Sequence, residues 1–179
     1  PTTNFITAVE TQRATESDEA GFKQVQQVQA AQGLKAPQEW YADTAYVSGQ
    51  VLTESAARGQ QIWGPAQPAP IHGTSEFKSD QFRVEVEERR AFCPAGKEST
   101  QCSQLQVGQT GAVNYRFEGS WQCRDCQWAA RCVGRGQKHR TLVVSQYHTA
   151  LQQRREEMKT EAFRQRMQRR NGIEVTHSE

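Results

Sequence analysis

The stretch that decides the fold is residues 39–63, EWYADTAYVSGQVLTESAARGQQIW. Its first part, Glu39–Ala42, is short and apolar at its centre and predicts a strand. Gln50–Arg58 predicts a short helix, and Gln61–Trp63 predicts a second strand. Asp43 comes directly after the first strand, at the end of a strand where α/β sheets place their ligands. This succession of strand, helix and strand is typical of an α/β protein.

The pattern extends toward the N-terminus. Phe5–Val9 (FITAV) is a short apolar run suited to a buried strand. Ser17 and Asp18 are helix-capping types and predict the start of a helix that Gly33 ends. Phe22, Val25 and Val28 recur every third residue along this helix and form its apolar stripe.

A Pro- and Gly-rich connection, Gly64–Gly73, separates this half from a segment with a different pattern. Phe82–Glu87 alternates apolar and charged residues, which predicts a half-buried strand. Val113–Phe117 and Thr141–Val144 predict further strands. A long helical pattern then runs from Thr149 to about residue 170.

These patterns predict three regions. Residues 1–63 form a partial α/β core, residues 64–148 form a small β-rich insertion, and residues 149–179 form a C-terminal helix that returns to the core. The expected fold class is therefore α/β with an inserted β-rich module.

The composition bounds the class of protein. Hydrophobic residues make up 35% of the 179 residues, and the mean hydropathy is −0.85. No run approaches the ~20 apolar residues of a membrane helix, and no secretory signal opens the chain. We therefore expect a cytoplasmic protein without a membrane partner. The start at Pro1, without a methionine, suggests a processed or truncated piece.

The charge is divided unevenly along the chain. Residues 1–90 carry 8 Lys and Arg against 12 Asp and Glu, whereas residues 131–172 carry 11 against 3. A basic block of this size indicates a polyanion partner, of which nucleic acid is the commonest. The alternative is a well-solvated helix face, since acidic residues are interspersed on the predicted helix.

Five cysteines lie within forty residues, an odd number that fits a disulfide framework poorly. Cys123 and Cys126 have the Cys-x2-Cys spacing of a chelating pair, and Cys132 follows six residues later. Cys93, in a Cys-Pro-x-Gly sequence, is a reasonable fourth ligand, which leaves Cys102 over. Four thiolates predict a structural Zn²⁺ site; the alternative is a set of reduced, unligated cysteines.

Five segments in order resemble the C-terminal half of bacterial insertion-sequence transposases with a ribonuclease-H-like Asp-Asp-Glu (DDE) catalytic domain. The similar subgroup carries a cysteine-bearing insertion before the final Glu. The segments are Asn4–Glu10 (NFITAVE), Tyr41–Tyr46 (YADTAY), Cys93–Lys97 (CPAGK), Cys123–Cys126 (CRDC) and Arg170–Ser178 (RNGIEVTHS).

The resemblance implies an incomplete ribonuclease-H-like fold and a function in DNA transposition. Asp43 would be the second catalytic aspartate, and Arg170 and Glu174 would belong to the last motif, with Asp43 and Glu174 binding Mg²⁺ or Mn²⁺. Double-stranded DNA, as transposon ends and target, would be the partner of a nucleoid-associated protein, with a homodimer as a candidate assembly. The residues expected to contact this DNA are Arg154, Arg155, Lys159, Arg166, Arg169 and Arg170.

The chain departs from the family pattern at two places. Met167 stands where the family's last motif has a tyrosine. The first catalytic aspartate would lie upstream of Asn4, so we expect a fragment that does not cut or join DNA by itself. Two alternatives stay open: a non-enzymatic, zinc-ribbon-like nucleic-acid-binding module, and a decayed transposase remnant.

Overall fold

A computed structural model describes residues 8, 9, 11, 13–71, 75–107 and 110–176, with the side chains of residues 106, 107, 110 and 169–176 left out. Backbone contacts divide the chain into two compact units. The first joins Pro1–Gln67 to Arg154–Glu179, and the second is Pro68–Gln153.

The first unit opens with helix α1 (Asp18–Ala31). Ser17 caps it, because the Ser17 side chain accepts a hydrogen bond from the Ala20 amide at 3.3 Å. The Phe22 ring packs edge-on against Trp40 at a centroid distance of 5.1 Å. Gly33 follows the helix with a φ of 72°, the left-handed conformation that glycine adopts at helix ends.

Two short parallel strands carry the centre of this unit. Strand β1 (Glu39–Tyr41) pairs with β2 (Gln61–Trp63) so that Tyr41 lies opposite Trp63, and helix α2 (Gly49–Ala57) connects them. Val51 of the helix and Ile62 of β2 are both buried. The strand–helix–strand order expected from residues 39–63 is confirmed.

The predicted C-terminal helix is in fact two helices, α4 (His148–Glu157) and α5 (Glu161–Thr176). Thr160 begins the second helix, because its hydroxyl accepts a hydrogen bond from the Phe163 amide at 3.2 Å. The expectation of one continuous helix was wrong. The helical spacing of the sequence continues across residues 158–160, but the Thr160 cap begins a new helix there.

The second unit is built from β-structure. Strands β3 (Arg83–Glu85) and β4 (Arg90–Phe92) form an antiparallel hairpin. The chain turns at residues 86–89, where Arg89 has a φ of 56°, so that β3 ends earlier than its alternating sequence predicts.

A three-stranded antiparallel sheet completes this unit. It contains β5 (Gln101–Val107), β6 (Thr110–Glu118) and β7 (His139–Ser145), with β6 in the centre, and a short helix α3 (Ala129–Cys132) precedes β7. Alternate residues of β6 and β7 face a core together with the hairpin. Its buried members are Phe77, Phe82, Val84, Ala91, Val113, Tyr115, Phe117, Leu142 and Val144.

The described part of the chain thus mixes helices with three small sheets, which confirms the α/β class. The ribonuclease-H-like detail stays a prediction. Most of the strand predicted at Phe5–Val9 lies outside the described residues. Within the described ranges, no helix is long and apolar enough to cross a membrane.

Candidate functional sites

Asp43 lies at the carboxyl edge of the two parallel strands, directly after the last hydrogen bond between them, from the Ala42 amide to the Trp63 carbonyl at 2.8 Å. Its side chain is exposed and accepts a hydrogen bond from the Thr44 amide at 2.6 Å. Asp43 therefore begins the short 3-10 helix Thr44–Tyr46. Such a carboxylate both caps a turn and presents oxygen atoms at the strand ends.

Gly64 lets the two strand ends approach each other. A Cβ atom at Gly64 would lie 2.6 Å from the Ala42 carbonyl oxygen and 2.6 Å from a methyl group of Val47. Because real Cβ atoms do not approach so closely, a side chain here would push the β2 end away from Ala42. Glycine at this position therefore fixes the backbone next to Asp43.

Helix α5 packs against the same strands with its first two turns. The Phe163 ring lies 6.1 Å from the Trp63 ring, centroid to centroid. The Arg166 guanidinium lies 5.0 Å from the centroid of the Trp63 ring and pairs with Glu39 at 2.9 Å. A hydrogen bond to Tyr41, followed by the negative charge of Glu39, raises the pKa of Arg166.

The last motif lies further along this helix. The backbone of Arg170 and Glu174 belongs to α5, one and two turns beyond Arg166. Their side chains, with that of Arg169, lie outside the described residues.

Arg154 belongs to the interior of the first unit. It is 6% exposed, and its guanidinium donates to the carbonyls of Gly64 at 2.9 Å and Ile62 at 2.6 Å. It also pairs with Glu157 at 2.9 Å. We expected Arg154 to contact DNA; its burial and its bonds to the β2 backbone instead give it a structural role, and this expectation is corrected.

Two of the other expected DNA contacts, Arg155 and Lys159, lie nearer the surface. Arg155 donates to the Gln67 carbonyl at 2.8 Å. Lys159 is exposed and pairs with Glu156 at 2.6 Å, one turn away on the chain. Ion pairs between exposed side chains contribute little stability, so such partners are easily exchanged for a phosphate.

The second unit brings the predicted zinc ligands to one place. Cys93 begins a tight turn, in which its carbonyl accepts from the Gly96 amide at 2.8 Å and its amide donates to the Lys97 carbonyl at 2.9 Å. Cys123 and Cys126 lie in a second turn, closed by a hydrogen bond from the Cys126 amide to the Cys123 carbonyl at 3.2 Å. Cys132 ends α3.

Gln122 and Lys97 fasten these two turns together. The side-chain Nε2 of Gln122 donates to the Glu98 carbonyl at 2.6 Å, and its side-chain oxygen accepts from the Glu118 backbone amide at 2.8 Å. The ammonium of Lys97 donates to the Gln122 carbonyl. The loop that carries Cys93 is thus held beside the loop that carries Cys123.

Cys93, Cys123, Cys126 and Cys132 all line one cavity of about 20 Å³. This volume holds about one water-sized sphere. Lys97 and Arg140 also line it, whereas Cys102 does not. Among the residues that the structure describes, no three His, Cys, Asp or Glu side chains already stand in a metal-binding group. The four thiols therefore line one cavity, but their sulfur atoms are not arranged around a common metal position.

Two thiols of this cavity, those of Cys123 and Cys132, have raised pKa values. Burial raises the pKa of Cys132 to about 11, against the opposing charge of Arg140. Burial also raises the pKa of Cys123, and the neighbouring thiols of Cys126 and Cys93 raise it further. Each cysteine of the cavity is thus near enough to influence another electrostatically.

Sequence reasoning found the cysteines but missed Gln122, Lys97 and Arg140 as parts of this site. A glutamine, a lysine and an arginine in a polar sequence are usually solvent-exposed. No periodicity distinguishes these three from surface residues. Only the Cys-Pro-x-Gly turn, which positions Lys97, offered a signal.

Residues 92–179 match the family described as transposase DDE domain. Over these residues, just under half of the chain, it is similar to the DDE transposases. The matched transposase region contains all five cysteines, β5 to β7, and helices α4 and α5. The family generally uses divalent metal ions and acts on DNA. No curated protein and no solved structure matches the chain.

The family match confirms the resemblance to DDE transposases. It includes Arg170 and Glu174, while Asp43 lies before the matched transposase residues. The assignment of these three residues to a catalytic site stays a prediction.

Proposed function

We propose that the chain contributes metal-binding and DNA-binding residues to a DNA transposase, an enzyme that cleaves and joins phosphodiester bonds with the help of divalent metal ions. The observation that carries this proposal is the match of residues 92–179 to the transposase DDE domain. Asp43, at the carboxyl edge of β1 and β2, supports it from outside the matched region.

In-line displacement at phosphorus requires the attacking oxygen to be activated and the leaving oxygen to be stabilised, which two divalent metals about 4 Å apart accomplish. Mg²⁺ and Mn²⁺ accept carboxylate oxygens and keep some of their waters. In this proposal Asp43 and Glu174 are two carboxylate ligands of the metals. Arg170, one helical turn before Glu174, is proposed to bind the phosphate.

The division of the chain supports a meeting of these distant residues. Pro1–Gln67 and Arg154–Glu179 form one compact unit, so Asp43 and the last motif belong to the same unit. Arg166 binds Glu39 at the start of β1. Backbone positions 166, 170 and 174 follow at intervals of four residues, which puts them on one side of α5.

The expected DNA surface consists of basic residues of the C-terminal helices. Without the buried Arg154, the residues proposed to neutralise phosphates are Arg155, Lys159, Arg166, Arg169 and Arg170. Contacts to phosphates bind DNA of any sequence and weaken as the salt concentration rises.

The test is binding of a fluorescent duplex by anisotropy, with Mg²⁺ and with NaCl of equal ionic strength. Mg²⁺ competes with basic side chains for phosphates, so it weakens binding unless a metal site bridges protein and DNA. We expect Mg²⁺ to tighten binding several-fold in the original chain and not in Asp43→Ala or Glu174→Ala. Asp18→Ala and Glu161→Ala, which remove carboxylates elsewhere, are the matched controls.

Two results would oppose the proposal. If the duplex does not bind at all, the chain lacks the expected partner. If it binds, but Mg²⁺ weakens binding equally in all five proteins, the basic helices bind DNA without a metal site. That second result favours the non-enzymatic nucleic-acid-binding module.

A further inference from the structure

The cysteine cavity of the second unit has no part in the proposed transposition chemistry. Four thiols and two cationic side chains line this cavity, whose volume is about 20 Å³. A cavity of this size has room for a single ion or water.

Of the two cations that line this cavity, Lys97 donates to the Gln122 carbonyl, whereas Arg140 is buried with few hydrogen-bond partners. Arg140 is 4% exposed, and its Nε atom has no hydrogen-bond partner among the described residues. Its remaining described hydrogen bond is a long one, to the Phe77 carbonyl at 3.3 Å. Burying a guanidinium without a counter-charge is costly, so a negative group in the cavity would resolve this cost.

We propose that Cys93, Cys123, Cys126 and Cys132 bind one Zn²⁺ ion in this cavity, with Arg140 and Lys97 compensating the charge of the complex. Four thiolates around one zinc leave two negative charges, which two cationic side chains offset. Arg140 and Lys97 act as charge-compensating residues and not as ligands.

The two turns are suited to this closure. Zn²⁺ requires four sulfur atoms at ~2.3 Å in a tetrahedron. Gln122 and Lys97 already hold the Cys93 loop beside the Cys123 loop, and binding of the ion would draw the four sulfurs onto a common centre. Gly96, whose φ is 75°, permits the tight turn that follows Cys93.

A closed zinc site would also explain how this unit is stabilised. The described core of the second unit contains nine buried residues, of which seven belong to its two small sheets. The loops that carry the cysteines lie outside these sheets. Because zinc binds the folded arrangement and not the unfolded chain, it stabilises that arrangement.

The experiment measures metal content and thermal unfolding of the full chain, purified reduced with Zn²⁺ and then dialysed. We expect one zinc per chain, a lower unfolding midpoint after chelation, and recovery when Zn²⁺ is restored. Cobalt in place of zinc should give the absorption of a tetrahedral thiolate complex. Cys123→Ser and Cys126→Ser should each lower the metal content to well below one per chain.

Cys102→Ser is the matched control, because Cys102 is the fifth cysteine and does not line the cavity. This variant should keep one metal per chain. The proposal is overturned if the reduced chain retains no metal. It is also overturned if Cys102→Ser loses metal as readily as Cys123→Ser. If the serine variants do not fold, the cobalt spectrum of the original chain decides, since a spectrum without thiolate bands overturns the site.

Discussion

At the scale of single residues, two arginines illustrate why basic residues cannot be assigned to DNA by charge alone. Arg154 lies inside the first unit and bonds to two carbonyls beside β2. Arg140 lies inside the second unit next to Cys132. Both come from the basic block that indicated nucleic acid, and both are buried. Only a structure separates such interior cations from those at the surface.

Arg154→Ala should destabilise the chain strongly. It leaves the carbonyls of Gly64 and Ile62 without their donor, removes the pair with Glu157, and opens space beside Phe163. We expect a loss of about 2–4 kcal/mol in the free energy of unfolding, measured in urea. Arg155→Ala, the neighbouring change, should cost less than about 1 kcal/mol. Equal losses in the two variants would contradict the structural role of Arg154.

Tyr115 should make stability depend on alkaline pH. It is fully buried, and burial, followed by the Cys102 thiol, raises its pKa from 10 to about 12. Between these two values the unfolded chain releases the phenolic proton and the folded chain retains it, so stability falls as the pH rises. The loss by about pH 11 should be about 1.4 kcal/mol.

The measurement for Tyr115 is urea unfolding at about pH 9 and about pH 11, compared with Tyr115→Phe. The phenylalanine variant has no phenolic proton to lose. Its free energy of unfolding should therefore fall by about 1.4 kcal/mol less than that of the original chain across this interval. A fall as large as that of the original chain would show that Tyr115 is not the responsible group.

At the scale of elements, the sequence predicts the helices and strands that are determined by neighbouring residues in the chain. Ser17 and Gly33 mark the ends of helix α1, and the apolar runs mark β1, β2, β6 and β7. Strand β5 was missed because its sequence, QCSQLQV, is rich in glutamine, and pairing with β6 rather than propensity makes it a strand.

The residues of the candidate sites follow the same rule: those with a local sequence signal were predicted, and those that depend on distant contacts were not. Asp43 was found because it directly follows a strand, and the cysteines because their spacing is distinctive. Gln122 and Arg140 were not found, because their roles depend on contacts across 24 and 63 positions of the chain. Such contacts are formed by the tertiary structure and leave no local pattern.

Gly64→Ala tests the packing of the strand ends beside Asp43. Its Cβ would meet the Ala42 carbonyl and Val47 at 2.6 Å, and backbone must shift to admit it. We expect a loss of about 2–3 kcal/mol in stability, as for other overpacked sites. Gly59→Ala is the comparison, since nothing lies within 4 Å there and the strain of a φ of 68° costs about 1 kcal/mol. A Gly64→Ala chain as stable as Gly59→Ala would show that the two strand ends are not in close contact.

At the scale of the whole molecule, the chain returns to its beginning. The second unit, Pro68–Gln153, is inserted in sequence between the two parts of the first, which joins residues 1–67 to residues 154–179. Asp43 and Glu174 are therefore distant in sequence but belong to one compact unit. A metal site shared by them requires this arrangement, because neither segment carries both carboxylates.

The most direct measurement of this account is calorimetric titration of Mn²⁺ into the zinc-loaded chain, Asp43→Ala, Glu174→Ala and the double variant. We predict saturable binding that each single substitution weakens at least about tenfold, the least expected for loss of a ligand. The double variant should bind scarcely more weakly than either single variant, because the two carboxylates act as a unit. Saturable binding that neither substitution alters would contradict the account, as would the absence of binding.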